Sequence, residues 1–398
     1  MMSLFRRWSF LLLLFIAVLS ILAPFSLSVS PNQEVAPPFS TPLWLKRNLP
    51  PTMKITLSEN ILKKNIAWPY NPPTQIHLSG EITLSVPSAL VLETPTQKFV
   101  LHHLTVGKNT FDIDGRDLSF KQRLNFSPFA QIPSELFSEK GEYIFRVEPD
   151  FSAPPEMRGT ITFDIKGGRW GLLGTDQRGR DIFSLFIAGI RVSLIVGISA
   201  TLLASLLGLF FGLISGYAGG WTDTIIMRGV DILLSIPILP ILMVLAAYWG
   251  KGLWQLVLIL SLFSWMGTAR TVRAMTLSLR DSSYIEGLRG LGAPTFYILW
   301  RHLLPETLPL LLANIALGVP GAILAEAGIS FLGLSDPRII SWGRMLHEAH
   351  SFGAFTRGAW WMLLPPGLGI TLLCLIFLDL GKFLEEQIDP QLKGALKQ

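Results

Sequence analysis

Six long apolar stretches, set apart by polar segments, constrain this chain more than any other feature. A helix of about 20 apolar residues matches the hydrocarbon thickness of a bilayer. In lipid every backbone polar group must be satisfied within the spanning element. The stretches are Trp8 to about Val29, about Val192 to Tyr217, about Ile225 to Trp249, about Leu253 to Ala269, about Pro305 to Leu334, and about Trp361 to Leu384. Trp249, Trp254, Trp360 and Trp361 stand at their ends, as in an interfacial aromatic belt. Only 15% of the 398 residues are charged, against about 25% in soluble domains. The reading is a polytopic membrane protein, all-α in its spanning part.

The first run follows Arg6 and Arg7 and fits a signal peptide or a retained helix. The residues after it, "ILAPFSLSVSPNQ", offer no clean small-x-small cleavage site. A retained helix over 1–30 is therefore expected. Lys/Arg bias places both termini and the 274–304 segment in the cytoplasm: Arg270, Arg273, Arg280, Arg289, Arg301, Lys393 and Lys397 share that side. Residues 31–168 differ. "QIHLSGEITLSV", "KFVLHHLTV" and "GTITFDIK" alternate with period two and are bounded by Gly, Pro and Asn. They predict a β-rich domain inserted outside the membrane between helices 1 and 2, ahead of a five-helix core over 169–398.

Several chemistries have no basis in the residues. The lone cysteine, Cys374, forms no intrachain disulfide and makes a thiolate metal site improbable. His102 and His103 are adjacent in an expected strand and point to opposite faces, so they chelate one ion poorly. There is no phosphate-binding loop of the Gly-x-x-x-x-Gly-Lys-Ser/Thr type, no nucleophile–base pair, and no basic stripe with aromatics for nucleic acid. No cofactor is expected.

The polar stretch "SSYIEGLRGLGAPTFYILWRHLLP" (282–305) interrupts the apolar runs. Ser283 and Glu286 have capping-box spacing. Tyr284, Leu288 and Leu291 form an apolar face, while Glu286 and Arg289 lie on another. Gly292 suits a helix end, Pro294 a second helix start, and Pro305 the start of the fifth span. A plain amphipathic connector at the bilayer surface explains this as well as a docking knob does.

"EGLRGLGAPTFYILWRHLLP" resembles the cytoplasmic EAA loop of ABC importer permeases through Glu286, Gly292, Leu304 and Pro305, with Gly287 and Leu288 in place of the two alanines. "LLGTDQRGRDIFS" (Gly174, Thr175, Asp176, Gly179, Arg180, Asp181), "GYAGGWTD", "SFLGL" with Trp342-Gly343, and the closing "DPQL" are similar to the dipeptide/oligopeptide branch. The resemblance spans about 170–394 and leaves 31–165 unaccounted for. It implies a type I importer permease fold of six transmembrane helices in a bacterial inner membrane. It implies, as partners, a second related permease subunit, two ATP-binding subunits, and an extracytoplasmic solute-binding protein. ATP hydrolysis would belong to those ATP-binding subunits. It also implies that Tyr284, Glu286, Leu288, Arg289, Leu291 and Gly292 couple to the ATPase. A peptide is the implied cargo; nickel or another small solute is the alternative.

Other residues carry open readings. Gly208, Gly212 and Gly216 recur at close-packing spacing. Pro237 and Pro240 bend span three or line a path. Arg228 with Asp231, and Asp379 with Lys382, are spaced to pair on one helix. Glu326 shows no partner at helical spacing and is a pathway candidate. A secondary transporter would be expected to show internal repeats and clustered midplane charges, and neither is seen. An adaptor acting through the β-domain would need one anchor, not six.

Overall fold

The computed structural model describes residues 2–26, 30–45, 48–150 and 156–388. The "DPQL" motif, Lys393 and Lys397 lie outside the described residues. Contacts divide the chain into Val29–Phe183 and a helical unit of Met1–Ser28 with Ser184–Gln398. Helix α1 covers Met2–Ser26.

The first unit is a β-sandwich. Its strands are β1 (Met53–Ser58), β2 (Lys63–Trp68), β3 (Gln75–Leu84), β4 (Ser88–Glu93), β5 (Lys98–Leu104), β6 (Gly107–Asp114), β7 (Gly141–Pro149) and β8 (Met157–Lys166). Two short helices, α2 (Leu118–Arg123) and α3 (Ile132–Leu136), lie between β6 and β7. One antiparallel sheet runs β1-β8-β3-β6 and the other β2-β7-β4-β5. The three alternating stretches singled out in the sequence are β3, β5 and β8. Alternation works here because successive side chains leave opposite faces of a strand. Ile76, Leu78, Ile82 and Leu84 of β3 enter one core with Ile161, Phe163 and Ile165 of β8 and Leu90, Leu92 and Phe145 of the other sheet. Phe145 and Phe163 meet edge to face at 4.6 Å between ring centroids, an arrangement that adds to area burial.

The family-like motif 174–181 folds with this unit, not with the helices, so the boundary expected at 169 falls near 183. Asp176 organises it. Its Oδ1 accepts the Arg178 and Arg180 N–H groups (2.8 and 2.9 Å), and its Oδ2 accepts the Arg180 Nε (2.6 Å). Thr175 is fully buried; its hydroxyl donates to Pro37 O and accepts from Ser40 N. Gly179 has φ +76° and lies so near Ala36 O that a Cβ would stand 2.1 Å from it. Glycine is required there on both counts. These residues staple the 30–45 segment ahead of the next helix.

The helical unit continues with α4 (Ile182–Ala218), α5 (Gly220–Ser235), α6 (Ile238–Trp249), α7 (Leu253–Arg280), α8 (Ser283–Gly290), α9 (Thr295–Ile298), α10 (Leu304–Phe331), α11 (Trp342–Ser351) and α12 (Leu364–Ile388). Among the described residues, four helical stretches are long and apolar enough to cross a membrane: Ile182–Ala218, Leu253–Arg280, Thr295–Phe331 and Trp360–Glu386. Four of the six expected spans are thus seen as unbroken helices. Span three is broken, with α5 and α6 meeting at 87°, and counting that pair as one span gives five. The cause is Pro237, which leaves Ile236 extended (φ −86°, ψ 131°), as a residue before proline prefers. Of α1, the described apolar part is Phe10–Leu22, short of a span.

The glycine stripe of α4 packs on α7. A Cβ at Gly208, Gly212 or Gly216 would come within 2.9 Å of α7 atoms, from Trp265 O to the Thr276 side chain. The close-packing reading of the stripe holds. Trp342 of α11 stacks on Phe186 of α4 at 5.3 Å and donates its Nε1–H to Phe186 O. A Cβ on Gly343 would meet Ala327 Cα at 2.6 Å, so α11 lies directly on α10.

Candidate functional site

The 282–305 stretch is a helix, a glycine turn and a second helix, as expected, but its details differ. Helix α8 ends in a complete Schellman turn. Gly292 N–H donates to Arg289 O (2.9 Å), Ala293 N–H to Leu288 O (3.0 Å), and Gly292 sits at φ +80°. That turn needs the left-handed conformation glycine tolerates. The capping box is not formed. Ser282 occupies the N-cap, and its hydroxyl turns back to donate to Leu279 O.

The second helix does not stop before Pro305. Helix α9 passes through one π-turn, Leu299–Leu303, directly into α10, giving one helical stretch over Thr295–Phe331. Proline lacks the N–H that an α-turn would use, and a π-turn absorbs the missing bond without breaking the helix.

The apolar anchor of α8 also differs from expectation. Ile285, which the face assignment omitted, is fully buried with Ile298 and Leu303, packed by Leu213, Tyr217, Leu279 and Leu288. Leu288 shares this inner side. Tyr284 and Leu291 point outward, Leu291 being 87% exposed. The Arg289 guanidinium lies over the Tyr217 ring at 4.8 Å from its centroid, a cation–π contact. Arg289 is thereby tied to the end of α4. Glu286 is exposed, and no ion pair reaches it among the described residues. Burial, and then the Glu306 carboxylate, push the Tyr284 phenol above its ordinary range. Beyond the backbone of α8 itself, no heavy atom approaches within 4 Å of a Cβ built on Gly287 or Gly290. The outward side of α8 is therefore small, partly apolar and unobstructed.

The seat of α8 is braced by ions. Asp223 in the first turn of α5 takes both Nε and Nη2 of Arg273 at 2.5 Å and also accepts the Ser215 hydroxyl. Arg280 Nη1 donates to Gly216 O (3.4 Å). In the sequence these arginines counted only toward topology. Asp223 lies in a quoted motif, yet nothing local pairs it with Arg273.

The remaining candidates have the following surroundings. Asp231 pairs with Arg270 of α7 (2.5 Å), not with Arg228. No ion pair joins Asp379 and Lys382, and Asp379 Oδ2 is buried without a partner. Glu326 has a helical partner after all: it is buried, and its Oε1 accepts the Ser330 hydroxyl one turn on (2.6 Å). Pro237 and Pro240 are exposed in this chain, at the broken end of α6. His102 lies beside Arg123 (2.7 Å) and the Phe111 ring.

An interlocked set of long apolar helices with a projecting helix–turn–helix is the architecture of a membrane permease. Residues 208–390 match the family "Binding-protein-dependent transport system inner membrane component". The chain is 39% identical over 219 residues to a protein of Brucella suis biovar 1 named for peptide permease function, covering 55% of this chain and 72% of that one. It is 37% identical over 221 residues to the dipeptide transport system permease protein DppC of Bacillus subtilis, covering 55% and 68%. With the same organism's oligopeptide transport system permease protein OppC the figures are 36%, 55% and 72%. A structure of the MetNI methionine ABC transporter in an inward-facing conformation aligns with 52% of this chain at 19% identity and a TM-score of 0.42. The chain belongs to the binding-protein-dependent transport system inner membrane components, the permease subunits of ABC importers. It is a multi-pass membrane protein.

Proposed function

We propose that this permease imports peptides and is driven by separate ATP-binding subunits that dock on the outward side of 282–303. Tyr284, Glu286 and Leu291 meet the ATPase, while Ile285, Leu288 and Arg289 hold α8 to its own chain. Gly292 sets the turn between the two helices. A second related permease completes the pathway, and a solute-binding protein delivers cargo from the extracytoplasmic side. The finer elements of this reading are the six-helix type I fold, cytoplasmic termini and an outer β-sandwich. The names of the relatives support the peptide cargo.

One observation carries the coupling role. A short helix with an unobstructed outer side is followed by a helix that runs without a break from Thr295 to Phe331. A continuous rod of that kind moves as a rigid body, where a loop would absorb the push. Each state of the ATPase can then favour one orientation of the permease.

The test is gentle detergent purification of the tagged chain with its native partners, beside a Glu286→Ala/Gly292→Pro variant. Co-purification of an ATPase with the intact chain, lost in a variant that still folds, is expected. An intact chain that brings down no ATPase overturns the reading. Uptake of a labelled tripeptide by cells expressing the complete system, set against labelled nickel, separates the two cargoes.

A further inference from the structure

The base of α8 is joined to α4 and α7 by contacts of different kinds. Ile285 packs against Leu213 and Tyr217 of α4 and Leu279 of α7. Arg289 lies on Tyr217. The lower ends of α4 and α7 act as one body. The Gly208, Gly212 and Gly216 contacts leave no slack between them, and Arg280 donates to Gly216 O. Helix α5 is attached differently. It opens at two consecutive glycines of positive φ, its N-cap Gly219 (φ +64°) and its first residue Gly220 (φ +54°). Paired positive φ angles make a sharp corner that can act as a hinge. A Cβ on Gly219 would stand 2.9 Å from Arg280 Nη1, whereas one on Gly220 would meet nothing beyond its own helix within 4 Å, so the open side of the corner is at Gly220. The polar contact that fixes α5 next to the corner is Asp223, held by Arg273 on α7 and Ser215 on α4; two turns on, Val230 is buried with Ala204 of α4 and Trp265, Met266 and Ala269 of α7. Farther along, Asp231 takes Arg270 at a half-exposed site, and α5 then ends at the Pro237 break.

We propose that Asp223, gripped by Arg273 and Ser215, is the positioning residue that carries movement of the ATPase-facing helix α8 into α5 and so into the broken span beyond it. The inference rests on the docking reading above. With the clamp closed, displacement of α8 moves α4, α7 and α5 together. With the clamp removed, the Gly219–Gly220 corner absorbs the displacement. A bidentate carboxylate–guanidinium pair fixes direction as well as distance, which suits it to this task. A neutral amide at 223 keeps the volume and loses the charge.

The experiment uses the full chain co-purified with its ATPase in nanodiscs. Spin labels are placed at Ile225→Cys on α5 and Leu262→Cys on α7, both exposed positions, in a Cys374→Ser background. The label separation is measured without nucleotide and after trapping with ATP and vanadate. In the parent, α5 and α7 move together, so trapping is expected to leave the mean distance unchanged and the distribution narrow. In Asp223→Asn the ATPase still co-purifies, but trapping shifts the mean distance and broadens the distribution, because α5 no longer follows α7. The exchanged pair Asp223→Arg/Arg273→Asp removes much of that shift. A merely structural role would alter the distance alike with and without nucleotide and produce no shift on trapping. A parent whose label distance shifts on trapping, or an Asp223→Asn complex that shows no shift, overturns the proposal and leaves the docking reading standing. If Asp223→Asn does not assemble, Ser215→Ala, which removes one bond of the clamp, is read instead, and no shift there overturns the proposal equally. A parent that binds no ATPase overturns the docking reading, and this inference falls with it.

Discussion

Gly212→Ala in the α4–α7 seam tests the packing on which the coupling element rests. A Cβ at 212 would lie 2.8 Å from Ala269 O and 2.8 Å from Val272 Cβ. One of those atoms is backbone and the other is the branch point of a stiff side chain, so neither can swing aside. Restoring an ordinary contact of 3.4 Å requires the helices to part by about 0.6 Å. A gap of that order forfeits a quarter to a half of the dispersion energy of each contact it opens. Overpacking of this kind costs about 1–3 kcal/mol. Gly287→Ala is the control. It is the same chemical change in a helix, but nothing lies within 4 Å of the new methyl. There alanine is favoured by up to about 1 kcal/mol through helix propensity. The two substitutions should therefore differ in sign. Reversible SDS unfolding of the purified chain in mixed micelles reads both against the parent. Gly212→Ala within about 0.5 kcal/mol of the parent, the usual range of an innocuous surface change, would refute the close-packed seam.

Three further outcomes are expected. Asp176→Ala removes the acceptor for two backbone N–H groups and the Arg180 Nε. Because the pair is buried, the loss should reach about 3–5 kcal/mol, seen as faster proteolysis within 30–183. Phe163→Ala empties the contact between the two sheets and should cost about 3–5 kcal/mol, read as a lower melting temperature for the β-sandwich signal. His102 supplies a pH test. Burial, then Arg123 and His103, lower its pKa, so the unfolded chain takes up the proton first. Stability of the β-sandwich should be level above about pH 6.5, the unperturbed value, and fall as the pH drops below it. His102→Gln should flatten that slope, and an unchanged slope would remove His102 as its source.

The sequence disclosed those features whose cause is local. Strands β3, β5 and β8 were legible because alternation along a strand is a property of the strand itself. The four apolar helices were legible because lipid demands length and hydropathy together. Helix ends were harder. Helix α4 begins at Ile182, ten residues ahead of the start expected near Val192, because Arg191 interrupts an apolar run that the helix carries straight through, and Pro305 reads as a start until one sees that a π-turn carries the helix past it. Ion pairs were least legible. Arg228 and Asp231 have good spacing on one helix, yet Asp231 reaches Arg270 on another, and Asp223 finds Arg273 fifty positions along the chain. Three-dimensional proximity decided both cases. The amphipathic face of α8 shows a subtler limit. Period alone identifies apolar positions around a helix, and Tyr284, Leu288 and Leu291 meet that criterion. It does not say which are covered by the chain's own body. Ile285 and Leu288 turned inward because Leu213, Tyr217 and Leu279 were there to receive them. Tyr284 and Leu291 were left facing out beside Glu286, with two glycines clearing the ground around them. An apolar side chain 87% exposed on a braced helix has lost the stabilisation that burial would give it, and docking of a partner on that face would recover it.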